Sequence, residues 1–287
     1  MQVRKIKKNE YEELRSVWCE VFGDDPVFVD ELYYALKAKG YVCEDEGELH
    51  SFLTLFTAGE INGRKVQVSY GICTRPESRS KGHAGELVKY VRDMVVDKGD
   101  ISLICPATAS LVDFYSQLGY VDAFYSKFRC EEANSLKLSV KMITPAKYNK
   151  LREEYLAEIP HVKLGNGFLK FVKNDSINAQ GLLLVNNGDA ICTVDYGTDD
   201  EMGLSELIIH PLLAERSSEI AGQIAGGLAT LFEVERIYFR APTSIVYTDD
   251  SGDHVSLGTY IQGMIAGADT LLEEDNVALP YYGFPID

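Results

Sequence analysis

The chain lacks most of the features that mark a special environment. No basic flank meets an apolar run within its first thirty residues, and no window offers the roughly eighteen uncharged apolar residues that cross a bilayer. Its six cysteines, Cys19, Cys43, Cys73, Cys105, Cys130 and Cys192, are scattered, with no CxxC spacing and no compact framework. That argues against a disulfide scaffold and against a cysteine metal site. The five histidines show no ligand spacing. Cations are scarce too: 28 basic groups face 44 acidic ones, a formal charge of −16. Such a field repels polyanions and draws in cations, which argues against nucleic acid as the main partner. The Gly-Lys-Ser/Thr end of a Walker loop is missing, and so is GxGxxG, so two nucleotide-binding folds are disfavoured. The expectation is a soluble, unexported, cytoplasmic protein with reduced thiols, no metal and no membrane partner.

What is present is enough for a full core. With 287 residues, 46% of them hydrophobic, the chain makes one large domain or two ordinary ones. "VRKIKK" alternates as a strand does, and "NEYEELRSVWCEVFG" places Leu14, Val17, Trp18 and Val21 on one helical stripe closed by Gly23. Three strand-like runs follow, separated by Glu46-Gly47 and Asn62-Gly63, which are hairpin signals and predict an antiparallel meander. After Gly82, Leu87, Val91, Met94 and Val95 form a helical face ending near Lys98-Gly99. "DISLICPA" is a short apolar strand. "SLVDFYSQLGY" is a helix with Ser110 as its expected N-cap, and "DAFYSKFRCEEA" is strand-like again.

The order then repeats. "VRKIKKNEYEELR" from Val3 lies over "VKMITPAKYNKLR" from Val140 without a gap, at an offset of 140 − 3 = 137 residues, matching Ile6 with Ile143, Tyr11 with Tyr148, Leu14 with Leu151 and Arg15 with Arg152. That is about one domain. The fold class expected is α+β: two tandem domains, 1–135 and 136–287, each a mixed, mostly antiparallel sheet flanked by helices, with the boundary in the polar "EEANSLK".

Between the end of the strand "QVSYGICT" and the helix that starts near Gly82 lies "RSKGHAGELV". Unpaired backbone N–H groups at a helix N-terminus cradle an anion, Gly82 and Gly85 let a ligand approach the backbone, and Arg79 and Lys81 add charge. A pyrophosphate fits that description. The R-x-x-G-x-A signature after an apolar strand, with "DFYSQLGY" about thirty residues downstream, resembles the GNAT superfamily of acetyl-CoA-dependent N-acetyltransferases over roughly residues 1–130. The doubled arrangement is similar to tandem GNAT proteins, including the larger enhanced-intracellular-survival aminoglycoside acetyltransferases, whose third domain this chain is too short to hold.

The resemblance implies a site, position by position. Ile72, Cys73 and Thr74 match the strand segment that pairs with the pantetheine arm of acetyl-CoA. Arg79, Ser80, Lys81, Gly82, His83, Ala84 and Gly85 match the pyrophosphate turn, and Tyr115 matches the general acid. A phenol titrating near pH 10 suits that role, since it can protonate a leaving thiolate. Two departures stand out: Thr108 replaces a frequent asparagine, and the strand before the turn carries no glutamate base. Glu20, Asp24, Asp25 and Asp30 on the first helix pair are therefore the candidates for removing the amine's proton through water or for holding a cationic acceptor. Cys73 and Cys105 read as small core residues. With Pro211 laid on Pro76, the second copy has Ala214, Ser217 and Glu219 in place of Arg79, Gly82 and Ala84, and a carboxylate there repels phosphate. That copy is expected to be degenerate.

The function expected is transfer of acetyl from acetyl-CoA to an amine, without a metal. A homodimer is compatible with it. A non-catalytic acyl-CoA sensor is the alternative, and an aminoacyl-tRNA-dependent transferase is disfavoured by charge. The final "LPYYGFPID" reads as a last strand, and the resemblance to the larger tandem family, whose terminal carboxylate reaches the active site, implies that of Asp287 as a further candidate.

Overall fold

The structure, a computed structural model, describes residues 1–174, 181–196, 202–242, 256–268 and 281–282. Two compact units form. The first holds Met1–Asp122 and residues 263–268, and the second holds Ala123–Asn174, the described residues from 181 to 262, and Tyr281–Tyr282. Among the described residues no helix is long and apolar enough to cross a membrane.

In the first unit the chain runs β1 (Gln2–Lys5), α1 (Tyr11–Phe22), α2 (Pro26–Leu36), β2 (Lys39–Asp45), β3 (Glu48–Ile61), β4 (Arg64–Thr74), α3 (His83–Val96), β5 (Ile101–Ile104) and α4 (Ala109–Gln117). The sheet order is β1-β2-β3-β4-β5, antiparallel except that β4 and β5 run parallel. The meander closes as the sequence predicts, because Glu46-Gly47 and Asn62-Gly63 both take the left-handed φ that a two-residue hairpin needs. α1 buries Leu14, Val17 and Trp18, and Gly23 ends it in the left-handed region with its N–H on the Cys19 carbonyl. α3 buries Leu87, Val91 and Val95. α4 begins two residues earlier than expected: Thr108, not Ser110, takes the extended N-cap conformation, and the two hydroxyls lie 3.0 Å apart.

The second unit repeats this plan. It contains β6 (Val121–Glu132, from Ala123 onward), β7 (Val140–Met142), α5 (Pro145–Tyr155), β8 (Lys163–Leu164), α6 (Asn166–Asn174), β9 (Gly181–Val185), β10 (Ala190–Tyr196), β11 (Met202–Ile209), α7 (Ser217–Leu231), β12 (Arg236–Pro242) and the first part of β13 (Ser256–Ala266). Strands β7-β9-β10-β11 are antiparallel, and β11 runs parallel to β12 as β4 does to β5. Beside β12 lies β6, antiparallel, with Tyr238 opposite Cys130. The other end of β13 completes the first unit's sheet, with Met264 to Ala266 antiparallel to β5. Compaction therefore parts the chain at Asp122, inside β6, whereas the sequence repeat parts it near 135. The polar segment after β6 is packed: Asn134 bonds to α7 through its own N–H and its side chain, and Leu138 lies against Gly227.

Equivalent residues in the two copies do equivalent work. In α1, Tyr11 Oη donates to Asp30 at 2.7 Å and Arg15 to the same carboxylate at 2.6 Å. In α5, Tyr148 and Arg152 hold Glu206 of β11 at 2.7 and 3.0 Å. The second clamp is wholly buried, and Arg152 also donates to the carbonyls of Val162 and Tyr282. Truncating Arg152 would strand the Glu206 charge in the core. Arg152→Ala should therefore cost about 3–5 kcal/mol in urea unfolding, while Arg152→Met combined with Glu206→Met should recover most of that loss.

Candidate active site

The first feature of the site is where pairing stops. β4 matches β5 from Val66↔Ile101 to Ser69↔Ile104 and no further, so Tyr70 to Thr74 keep β3 on one edge and have no strand on the other among the described residues. The cause is a β-bulge. Thr54 faces Tyr70 while Phe52 faces Cys73, so β4 carries one residue more than β3 over this stretch. Gly71 absorbs the extra residue at φ 56°. A Cβ there would overlap the Trp18 ring, so α1 and β4 touch only because the side chain is missing. Trp18 is itself fixed, stacking at a tilt on Tyr70 with centroids 5.5 Å apart and donating Nε1–H to Asp24 at 2.6 Å. Ile72 and Thr74 are half-buried and Cys73 is buried, so their backbone edge, not their side chains, is what the site presents.

Arg75 pins the strand end. Its N–H donates to the His50 carbonyl at 3.0 Å, its Nε to the Leu49 carbonyl at 2.9 Å and its Nη2 to Glu13 at 2.5 Å. The 3₁₀ turn Pro76–Ser78 follows, then Ser80 at φ 62° and Gly82 at φ 87°. Two left-handed residues so close together curl the backbone into a concave nest of N–H groups. Gly82 is the N-cap of α3, and no side chain caps the helix. The first-turn N–H groups of His83, Ala84 and Gly85 thus have no intrahelical acceptor and carry the positive end of the helix dipole. Arg79, Ser80 and Lys81 are exposed around them, and Arg79 Nε lies 3.4 Å from the Thr74 carbonyl. Gly85 would tolerate a Cβ from the protein side, with Leu118 3.9 Å away, so its glycine leaves room for something that approaches from outside.

α4 lies beside this turn. Arg92 of α3 donates to the Leu118 carbonyl at the end of α4, and Tyr115 is 6% exposed between Phe114 and Tyr120. Burial pushes the Tyr115 phenol well above its usual range, with Tyr120 and Cys105 adding to the shift. It holds its proton through neutral pH, as a proton donor must. Burial likewise pushes the Cys73 thiol up to about 12, which makes it a poor nucleophile.

The four acidic candidates divide by partner. Asp25 caps α2, accepting from the Val27 N–H at 2.8 Å. Asp24 is held by Trp18 and Asp30 by Tyr11 and Arg15, while Glu20 is exposed and makes no ion pair among the described residues. In the second copy the turn is a 3₁₀ segment, Pro211–Arg216, and Glu219 in the first turn of α7 is bound by Arg216 at 2.7 Å. The N-terminal turn of α7 is further engaged by Arg129, which donates to the Ser218 carbonyl and hydroxyl. Asp287 lies outside the described residues, as does most of "LPYYGFPID", of which Tyr281 bridges to His161. Among the described residues no group of three His, Cys, Asp or Glu is placed to hold a metal.

Sequence reasoning missed Gly71 as the hinge of the site, although a lone glycine in "VSYGICT" is the mark of a bulge. It also missed His50 and Ser78, which bond to each other across 28 residues with no local signal.

The first unit thus combines an open strand edge with an uncapped, doubly kinked helix turn, on a sheet with one parallel pair. Residues 2–122 match the family model described as the acetyltransferase (GNAT) domain, and this part of the chain is a GNAT acetyltransferase domain. Solved structures agree in fold. A GCN5-related N-acetyltransferase from Anabaena variabilis superimposes at TM-score 0.68 and 14% identity, over 94% of this chain and 73% of that one. Eis1 from Mycobacterium abscessus does so at 0.62 and 14%, over 94% and 74%. A tandem GNAT protein from the clavulanic acid biosynthesis pathway gives 0.52 and 12%, over 92% and 96%. Comparison with curated proteins by sequence gives no match.

If the bulge rests on both the conformation and the missing side chain of Gly71, two glycine substitutions should separate the terms. Gly63 has a similar φ of 74° but open space around it, so Gly63→Ala should cost about 1 kcal/mol, the left-handed penalty alone. Gly71→Ala adds the clash with Trp18 and should cost about 2–4 kcal/mol in urea unfolding.

Proposed function

We propose that the chain is an N-acetyltransferase that moves an acetyl group from acetyl-CoA directly to a primary amine of a small molecule or peptide in a ternary complex. One observation carries the reading: the free edge of Tyr70 to Thr74 leads straight into the uncapped turn at Gly82, giving a backbone track followed by an anion cradle. Such a track suits an extended amide-bearing arm ending in a pyrophosphate.

Acetyl-CoA supplies an activated thioester. The chain supplies position and polarity. Backbone N–H groups of His83, Ala84 and Gly85, with Arg79 and Lys81, hold the pyrophosphate, with Ser80 in the kink between them. The edge of Ile72, Cys73 and Thr74 aligns the arm, and an N–H of that edge stabilises negative charge growing on the thioester oxygen. Tyr115 then gives its proton to the departing thiolate. Of the acidic candidates, Glu20 is the one without a structural partner and the one to take the amine's proton through water. Asp24, Asp25 and Asp30 add negative potential that draws a cationic amine. In this reading residues 1–135 are the catalytic domain and 136–287 a degenerate copy. Six free cysteines fit a reducing cytoplasm. A homodimer fits the same reading, and native mass spectrometry checks it.

A second reading, an acyl-CoA sensor without turnover, draws support from the lack of any glutamate on β4. Thiol release from acetyl-CoA across a panel of amines separates the two. The enzyme reading expects CoA binding, release with at least one amine, and a fall of about a hundredfold in kcat for Tyr115→Phe with CoA affinity kept within about twofold. Arg79→Glu with Gly82→Glu should abolish CoA binding. A parent protein that does not bind CoA would sink both readings.

A further inference from the structure

Beneath the turn lie two histidine rings that the reaction does not use. The ring of His50, on β3, stacks on that of His83, the first residue of α3, with centroids 4.3 Å apart and planes 16° apart. His83 is 3% exposed. Both grip Ser78, the last residue of the 3₁₀ turn: His50 Nδ1 is 2.8 Å from Ser78 Oγ, and His83 Nδ1 is 3.2 Å from the Ser78 carbonyl oxygen.

These partners assign the protons by chemistry. A carbonyl oxygen only accepts, so His83 carries a proton on Nδ1 and donates it to Ser78. The Asp45 carbonyl, 3.3 Å from His50 Nε2, likewise assigns the His50 proton to Nε2, which leaves His50 Nδ1 to accept from the Ser78 hydroxyl. The remaining ring nitrogen, His83 Nε2, faces the Asp45 carboxylate at 3.9 Å.

Several charges act on a proton at that nitrogen. Asp45 favours it, but Asp45 also binds the amino group of Met1 at 3.0 Å. Cys43 on the same strand is a neutral thiol, raised by burial. Arg75, bonded to the His50 carbonyl, is countered by Glu13. Against the proton stands the positive end of α3, whose first residue is His83 itself. An anion settling on that helix end cancels the opposing field.

We propose that binding of an acyl-CoA pyrophosphate at the turn is coupled to uptake of one solvent proton by His83 Nε2, so that affinity rises as pH falls. The coupling rests on reading the turn as the acyl-CoA site. No bond of the ligand changes; a proton moves from water to imidazole and pairs with Asp45. His83 holds its proton more tightly with the ligand bound than without it. The affinity gain therefore appears as pH drops below the bound-state titration and levels off once the free protein is also protonated.

Calorimetric titration of the full chain with CoA, repeated between pH 6 and 8.5 in buffers of different ionisation heat, counts the protons. The expected result is uptake approaching one proton per CoA, with Kd falling by up to about tenfold per pH unit across the titration. The phosphate monoester of CoA, with a second pKa near 6, loses its proton on meeting cations and so gives the opposite sign. His83→Asn retains an amide donor for the Ser78 carbonyl and lacks Nε2; its uptake should vanish. Asp45→Asn, which leaves both rings in place, should reduce uptake near pH 7. Binding without uptake in the parent, or undiminished uptake in either variant, overturns the coupling alone. No CoA binding at any pH overturns the acyl-CoA reading and the coupling together.

Discussion

The contact between Gly71 and the Trp18 ring is the constraint on which the site depends. A bulge in β4 would be an isolated irregularity if α1 did not press against it, and α1 could not press there if position 71 had a side chain. Trp18 is in turn immobilised by Tyr70 and Asp24, so the strand end cannot relax back into register with β5. The free edge that follows, and the direction in which Arg75 delivers the chain to the turn, are consequences of that single close approach. The bulge is held from three sides, by α1, β3 and the Arg75 clamp.

The two copies show one design with different outcomes. Each has a tyrosine and an arginine four residues apart on its first helix, and each uses them to hold a carboxylate. In the first copy the carboxylate comes from α2 and is half-exposed; in the second it comes from β11 and is sealed in the core. A glutamate on the strand before the turn therefore exists in this chain, but in the copy whose turn carries Glu219 and whose helix N-terminus is engaged by Arg129. The second unit keeps the sheet order and the parallel pair, and puts the buried polar groups into stability.

The charge of the molecule and the charge of its site have opposite signs. A formal −16 would repel an anionic ligand at long range. Screening confines that repulsion to about 8 Å at physiological ionic strength, whereas the N–H groups at α3 act at contact. Under the proposed function, local geometry outweighs the long-range field for an anion at the turn, while that field favours the arrival of a cationic acceptor.

Much of the fold was legible in the sequence for local reasons. Hairpin turns at Asn62-Gly63, the stripe of Leu14, Val17 and Trp18, and the glycines before α3 each follow from backbone or periodicity rules acting over a few residues. The repeat was visible because Tyr11 and Arg15 recur in step. The pairing of β6 with β12, with the contact boundary of the two units at Asp122, was not legible. The same limit applies to Gly71, to the Arg152–Glu206 clamp and to the stacked histidines. Sequence by itself determined the elements, their order and the glycine-bearing turn before α3, because those depend on neighbours along the chain. Tertiary structure alone decided which strand edge stays open and which carboxylates are already bound by a partner, because those depend on side chains that meet only after the chain has folded.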